Sequence, residues 1–208
     1  MKLPALLGIG TVVLLATACT TTENGTATPS PMSSATSGPS EPASQLPGAG
    51  APAVTSPIDT AQFQQKPCTT LTDGQIAELL GPDVEPKEEL TGEAGPSCFW
   101  HPRSVTQAAV SVIYATKNRR GLTSIYQQQG TMFPLFIPME PIEGYPTVAY
   151  GQADLRTSNG KCAIALGTSN QDIIDVSVTL SEGNIGKKDP CAAAHEVTAT
   201  VLNNLRAR

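Results

Sequence analysis

Cysteines punctuate this chain at positions 19, 68, 98, 162 and 191, and the first is unlike the other four. It closes an apolar run, whereas each of the others stands at the border of a segment with helical or strand-like patterning. Five is an odd number, so setting Cys19 aside leaves four thiols to pair. A domain crosslinked twice can adopt only topologies that bring four segment borders together in pairs, and no other feature of the sequence narrows the fold as much.

The reason to set Cys19 aside lies upstream of it. Met1-Lys2 is a short positive start, Leu3 to Leu15 is apolar except for Thr11, and Ala16-Thr17-Ala18 are small. That is the layout of a secretory signal peptide over residues 1–18, and the run is shorter than the ~20 residues a membrane-spanning helix needs. "LATAC" resembles the bacterial lipobox, in which the cysteine after small residues is acylated before cleavage. Ala16 stands where that motif usually has Leu. A thiolate suits the task as a strong nucleophile. Cys19 is thus the expected lipidation site, and two or more acyl chains give stable anchoring. The expected partner is the membrane, through that lipid, and the expected location is the extracytoplasmic face of the cell membrane.

Residues 19–57 follow as a lipidated N-terminus and tether. Ser, Thr, Pro, Ala and Gly dominate from Thr20 to Pro57, and bulky apolar side chains are nearly absent. Nothing there offsets the entropy of ordering the backbone. At ~5–6 Å × √n such a leash reaches on the order of 35 Å.

Residues 58–208 are long enough for one domain with a core. "TDGQIAELLG" predicts a helix, with Thr72 and Gln75 forming a capping box and Gly81-Pro82 stopping it. "SCFWHP" and "AAVSVIYAT" predict strands, and "GLTSIYQQQG" a short helix. "TVAYGQADLRTS" is expected to pair with "CAIALGTS" through a turn at Asn159-Gly160, and "DIIDVSVTLS" puts Ile174, Val176, Val178 and Leu180 on one face. A last helix opens at "KDPC", with Asp189 as cap, Pro190 first and an apolar stripe from Ala194 to Leu205. The order α-β-β-α-β-β-β-α is rich in hairpins. It predicts an α+β fold: a mostly antiparallel sheet with helices packed on it and two disulfides.

Oxidising surroundings favour disulfides among Cys68, Cys98, Cys162 and Cys191. Four cysteines allow three pairings, and sequence alone selects none. The sequential pairing, Cys68–Cys98 and Cys162–Cys191, is the expected one; each bridge closes about 30 residues and contributes on the order of 3–4 kcal/mol in the chain-entropy account. A metal site is not expected, because no CxxC pair clusters the thiolates.

"KPCTTLTDGQIAELLG", "CFW", "GKCAIAL" and "DPCAAAHEVTATVLNNL" together resemble the domain-of-unknown-function family 3558, a family of actinobacterial lipoproteins. The resemblance runs from Pro67 to about Leu205 and rests on the order and spacing of all four cysteines. It implies an envelope lipoprotein and carries no activity, cofactor or catalytic residue with it.

Chemistry is sparse. Among the two histidines, His101 follows Trp100 and His195 sits in the last helix, and no G-x-S-x-G elbow, phosphate loop or dinucleotide fingerprint accompanies them. The net charge of −5 and the scattered basic residues argue against nucleic acid. One stretch stands apart: "TMFPLFIPMEPIEGYP" holds Met132, Phe133, Leu135, Phe136, Ile137, Met139, Ile142 and Tyr145 between four prolines. Proline blocks helix and central-strand pairing, so a loop is expected, either closing over the core or exposing Met132, Phe133, Phe136, Ile137 and Met139 as an apolar binding loop. The leading expectation is therefore a non-enzymatic, lipid-anchored envelope protein, without cofactor, whose domain binds an apolar envelope lipid or a protein partner. The alternatives are an envelope hydrolase using His101 or His195 and a sensory or regulatory accessory of a membrane protein.

Overall fold

The computed structural model describes residues 45–82, 84–104 and 106–207; the apolar run, Cys19 and most of the expected tether lie outside the described residues. Helix α1 (Ala61–Gln65) leads through a 3₁₀ turn at Pro67–Thr70 into α2 (Asp73–Leu80). The capping box of α2 is formed: the Gln75 N–H donates to Thr72 Oγ1 at 3.2 Å and the Thr72 N–H to Gln75 Oε1 at 2.8 Å. Strands β1 (Pro86–Glu89), β2 (Ser97–Trp100) and β3 (Ala109–Tyr114) precede the short helix α3 (Thr123–Tyr126). Then come β4 (Leu135–Ile142), β5 (Tyr145–Gly151), β6 (Lys161–Gly167), β7 (Ile173–Thr179) and the long helix α4 (Pro190–Arg206). Asp189 caps α4, accepting from the Cys191 N–H at 2.8 Å.

Among the described residues the strands form one seven-stranded sheet in the order β1-β2-β3-β7-β6-β5-β4, with every neighbouring pair antiparallel. Two meanders, β1–β3 and β4–β7, meet edge to edge where β3 pairs with β7. This is the α+β architecture expected from the pattern. Both sequential disulfides are present, Cys68–Cys98 with Cα atoms 4.9 Å apart and Cys162–Cys191 with 5.0 Å.

One face of the sheet carries the main core. Val110, Val112 and Tyr114 of β3, Val176 of β7 and Ile164 of β6 pack against Ala194, Val197, Val201 and Leu205 of α4 and against Phe63, Leu71 and Trp100. Tyr114 finds its hydrogen-bond partner inside that core, 2.6 Å from Thr70 Oγ1. The other face is covered over only part of its area, where Val148, Ala165 and Ile173 meet Leu122, Ile125 and Ala51.

Helix α1 and strand β1 have no counterpart in the expected order, and three further features depart from expectation. The tether, expected to run to Pro57, is docked well before that: Ala51 and Val54 are buried, the Val54 N–H donates to Asn170 Oδ1 at 2.9 Å, and Tyr145 Oη donates to the Ser56 carbonyl at 2.8 Å. Small residues suffice there because the sheet supplies the apolar surface. The two-residue hairpin turn lies not at Asn159-Gly160 but at Glu143-Gly144, where both residues have positive φ (48° and 86°) and join β4 to β5. Strands β5 and β6 do pair, but through the longer connection 152–160. Finally, the proline-rich stretch expected to be a loop is mostly strand: β4 contains both Pro138 and Pro141. It lies at the sheet edge, where proline's missing N–H deprives no neighbour of a bond.

Candidate functional site

Strand alternation divides the expected binding loop. Ile137 and Met139 pack into the main core, whereas Phe133 and Phe136 join the cluster on the opposite face. Met132 alone of the five projects into solvent, 51 % exposed. Phe136 meets Tyr126 edge-on with ring centroids 4.9 Å apart, and Phe133 meets Tyr150 in the same way, also at 4.9 Å. The five residues thus form no single surface, because successive side chains of a strand point to opposite faces.

Phe133 nevertheless belongs to a cleft. At the ends of β4, β5 and β6, beside the connection 152–160, a cleft of about 540 Å³ is lined by Phe133, Leu135, Tyr150, Leu155 and Ala163, with Lys161 the cation among its lining residues. Leu155, 37 % exposed, leaves its apolar surface open to it.

Next to this cleft Tyr150 Oη donates to Asp175 Oδ2. The two residues belong to β5 and β7, so the bond crosses β6, whose residues in register with them are Ala163 and Ala165. Two strand spacings are about 10 Å, and only small side chains on the strand between leave room for a tyrosine ring to span them. Withdrawal from water raises the Asp175 carboxyl to about 6, opposed by the Tyr150 hydrogen bond and the Lys161 charge. Burial, with the adjoining carboxylate, pushes the Tyr150 hydroxyl well above its ordinary value. At neutral pH the pair is therefore a phenol donating to a carboxylate.

The far side of the same connection is basic. Arg156, Lys187 and Lys188 line a second cleft of about 470 Å³ with Thr157, Gly186, Asp189 and Pro190. Arg156 grips Asp154 through two bonds of 2.9 and 2.7 Å, and those bonds pull the Asp154 carboxyl down to about 2. The Cys162–Cys191 disulfide joins the start of β6 to the start of α4, and so holds the two clefts together.

A wider cleft of about 750 Å³ lies between α2 and β2, lined by Ile76, Val84, Trp100, Glu85 and Arg103 among others. Trp100 forms its apolar floor and is itself buried in the core. Among the charges there, Arg103 and Glu85 are almost fully exposed and 3.8 Å apart, an arrangement of little energetic weight.

The histidines lie apart. His101, exposed beyond β2, stacks on Phe99 at 6.0 Å. Half-buried His195, on α4, places Nε2 2.9 Å from the Glu140 carbonyl of β4. Neither has a serine, threonine or carboxylate among its hydrogen-bond partners in the described residues.

Sequence reasoning passed over Tyr150, Leu155, Arg156, Lys161 and Asp175. Only Asp175 leaves a signal: an acid in the middle of "IIDVSV", an otherwise strand-forming run, must find a partner when the sheet is covered.

No curated protein matches the chain. No solved structure matches it either. A family model described as "Protein of unknown function (DUF3558)" matches residues 14–204, nearly the whole sequence with all five cysteines, and the chain belongs to that family.

Proposed function

We propose that the chain is a lipid-anchored cell-envelope protein, acylated at Cys19 and held at the extracytoplasmic face of the membrane, whose crosslinked domain binds an apolar envelope molecule and catalyses no reaction. The apolar run ending in Cys19, the Ser/Thr/Pro leash and the even number of remaining cysteines support the anchor. The observation that carries the binding reading is the cleft of about 540 Å³ walled by Phe133, Leu135, Tyr150 and Leu155, an apolar concavity with a few convergent polar groups.

Two experiments test this. Replacing Cys19 by Ser is expected to move the protein from the membrane to the soluble fraction and to abolish palmitate incorporation; unchanged partitioning would refute the anchor. The domain, immobilised and washed with envelope extract, is expected to retain lipid that is absent when Leu155 is replaced by Asp. Equal retention by both forms would remove the cleft from the account.

A further inference from the structure

We infer that the two clefts flanking the connection 152–160 are one site for an anionic phospholipid-type amphiphile. Its acyl chain would lie between Phe133, Tyr150 and Leu155, and its phosphate on Lys187, Lys188 and Arg156. This rests on the proposed binding function and adds the chemistry of the head group.

Adjacency is the first argument. Leu155 lines the apolar cleft and Arg156, the next residue, lines the basic one. A ligand lying across this connection meets hydrocarbon on one side and guanidinium and ammonium groups on the other. The arrangement is held from both ends: the Asn159 and Lys161 N–H groups donate to the Leu155 carbonyl at 3.0 and 3.2 Å, and the Leu180 N–H donates to the Gly160 carbonyl at 2.9 Å. The Cys162–Cys191 bridge then fixes β6 to the turn that carries Lys187 and Lys188.

Charge is the second argument. The chain as a whole carries −5, yet among the described residues Arg156, Lys161, Lys187 and Lys188 gather here against Asp154, Asp175 and Asp189. Asp154 is held by Arg156, Asp175 is withdrawn from water beside Lys161 and accepts from the Tyr150 hydroxyl, and Asp189 Oδ1 is occupied by the Cys191 and Ala192 N–H groups at the start of α4. Among the described residues neither Lys187 nor Lys188 has an ion-pair partner. A local excess of cations in an acidic protein complements an anion, and the apolar wall beside it is wasted on an anion that lacks a chain.

The test uses residues 19–208 with Cys19→Ser, which retains every described residue and removes the competing acyl anchor. Lauroyl lysophosphatidylglycerol below its micelle concentration, monolauroylglycerol and glycerol 3-phosphate are titrated separately by calorimetry. The phosphate-bearing amphiphile is expected to bind about tenfold more tightly than monolauroylglycerol, to weaken as salt rises, and to lose that advantage in Lys187→Gln/Lys188→Gln. Leu155→Asp is expected to weaken both amphiphiles, and glycerol 3-phosphate to give no measurable heat. Equal affinity for the two amphiphiles would overturn the head-group inference and leave apolar binding intact. Tight binding of glycerol 3-phosphate would make this a free-phosphate site and overturn it too. If no amphiphile binds a chain whose circular dichroism and melting are normal, both this inference and the proposed function fail.

Discussion

Tyr150 on β5 and Asp175 on β7 are hydrogen-bonded across an intervening strand, over a floor of two alanines. The bond needs four choices at once: a long phenol, a short acid, and small residues at 163 and 165. Filling the floor would break it from below.

The pair makes stability depend on pH in a stated direction. Asp175 titrates at about 6 in the folded protein against an ordinary 3.8. Below the unfolded value both states hold the proton and the raised titration adds no penalty. As pH rises towards 6 the unfolded chain releases its proton first, so stability is lost through that window. At about 1.4 kcal/mol per pH unit the loss is bounded by about 3 kcal/mol. Asp175→Asn, which keeps an acceptor for Tyr150, is expected to flatten this dependence and to melt no lower than the native protein at pH 7. Melting curves between pH 4 and 7 check it, and a parallel shift of both proteins would refute the assignment.

Tyr150→Phe is expected to act oppositely. It leaves the Asp175 carboxylate without its donor, at a cost of about 1–3 kcal/mol at neutral pH. Chemical denaturation gives the number, and a smaller loss at pH 4, where the carboxyl is protonated, identifies the cause.

Replacing Cys162 and Cys191 together by Ala frees a loop spanning 29 residues and is expected to cost about 3–4 kcal/mol. The same variant separates Lys161 from Lys187 and Lys188, so amphiphile affinity is expected to fall even at temperatures where the variant remains folded. Peptide mapping of the native protein without reductant is expected to return only the 68–98 and 162–191 links among these four cysteines.

Gly160 has φ of 60°, and a Cβ there would come within 2.9 Å of Ile185 Cγ1 and 3.0 Å of Leu180 Cβ. Gly160→Ala is therefore expected to lose about 1–3 kcal/mol, read from the denaturation midpoint. By contrast Gly144, also at positive φ but with no neighbour near its missing Cβ, is expected to lose less on the same change.

Pro138 stands in edge strand β4, opposite Val148. Replacing Pro138 and Pro141 by Val restores two N–H groups to an apolar edge. The variant is expected to self-associate with concentration, measurable by light scattering, because unpaired edges template pairing. The opposite edge, β1, is short and carries Lys87, Glu88 and Glu89, which blunts it.

Legibility followed the range of the interactions. Capping at Thr72 and Asp189 and the alternation in β3 and β7 are local, and each was visible within a few residues. Strand β4 was not, because proline's exclusion from strands holds for central positions and only the sheet order makes this strand an edge. Glu143-Gly144 was hidden by the same prolines. Of the candidate site, Phe133 was picked out by its apolar neighbours, but the Ile137 and Met139 grouped with it face the other way once the segment becomes a strand.

The amino-acid pattern alone determined most element types, though not α1, β1 or β4, together with the antiparallel α+β class and the family resemblance carried by the four cysteines, since periodicity, caps and cysteine order are read directly along the chain. Tertiary structure decided where the clefts lie. Tyr150, Leu155, Lys161 and Asp175, and the lysines at 187 and 188, come together only after β5, β6 and β7 pair and a disulfide fastens α4 beside them. Side chains so far apart in the chain share a surface by strand register, and register is set by the whole sheet.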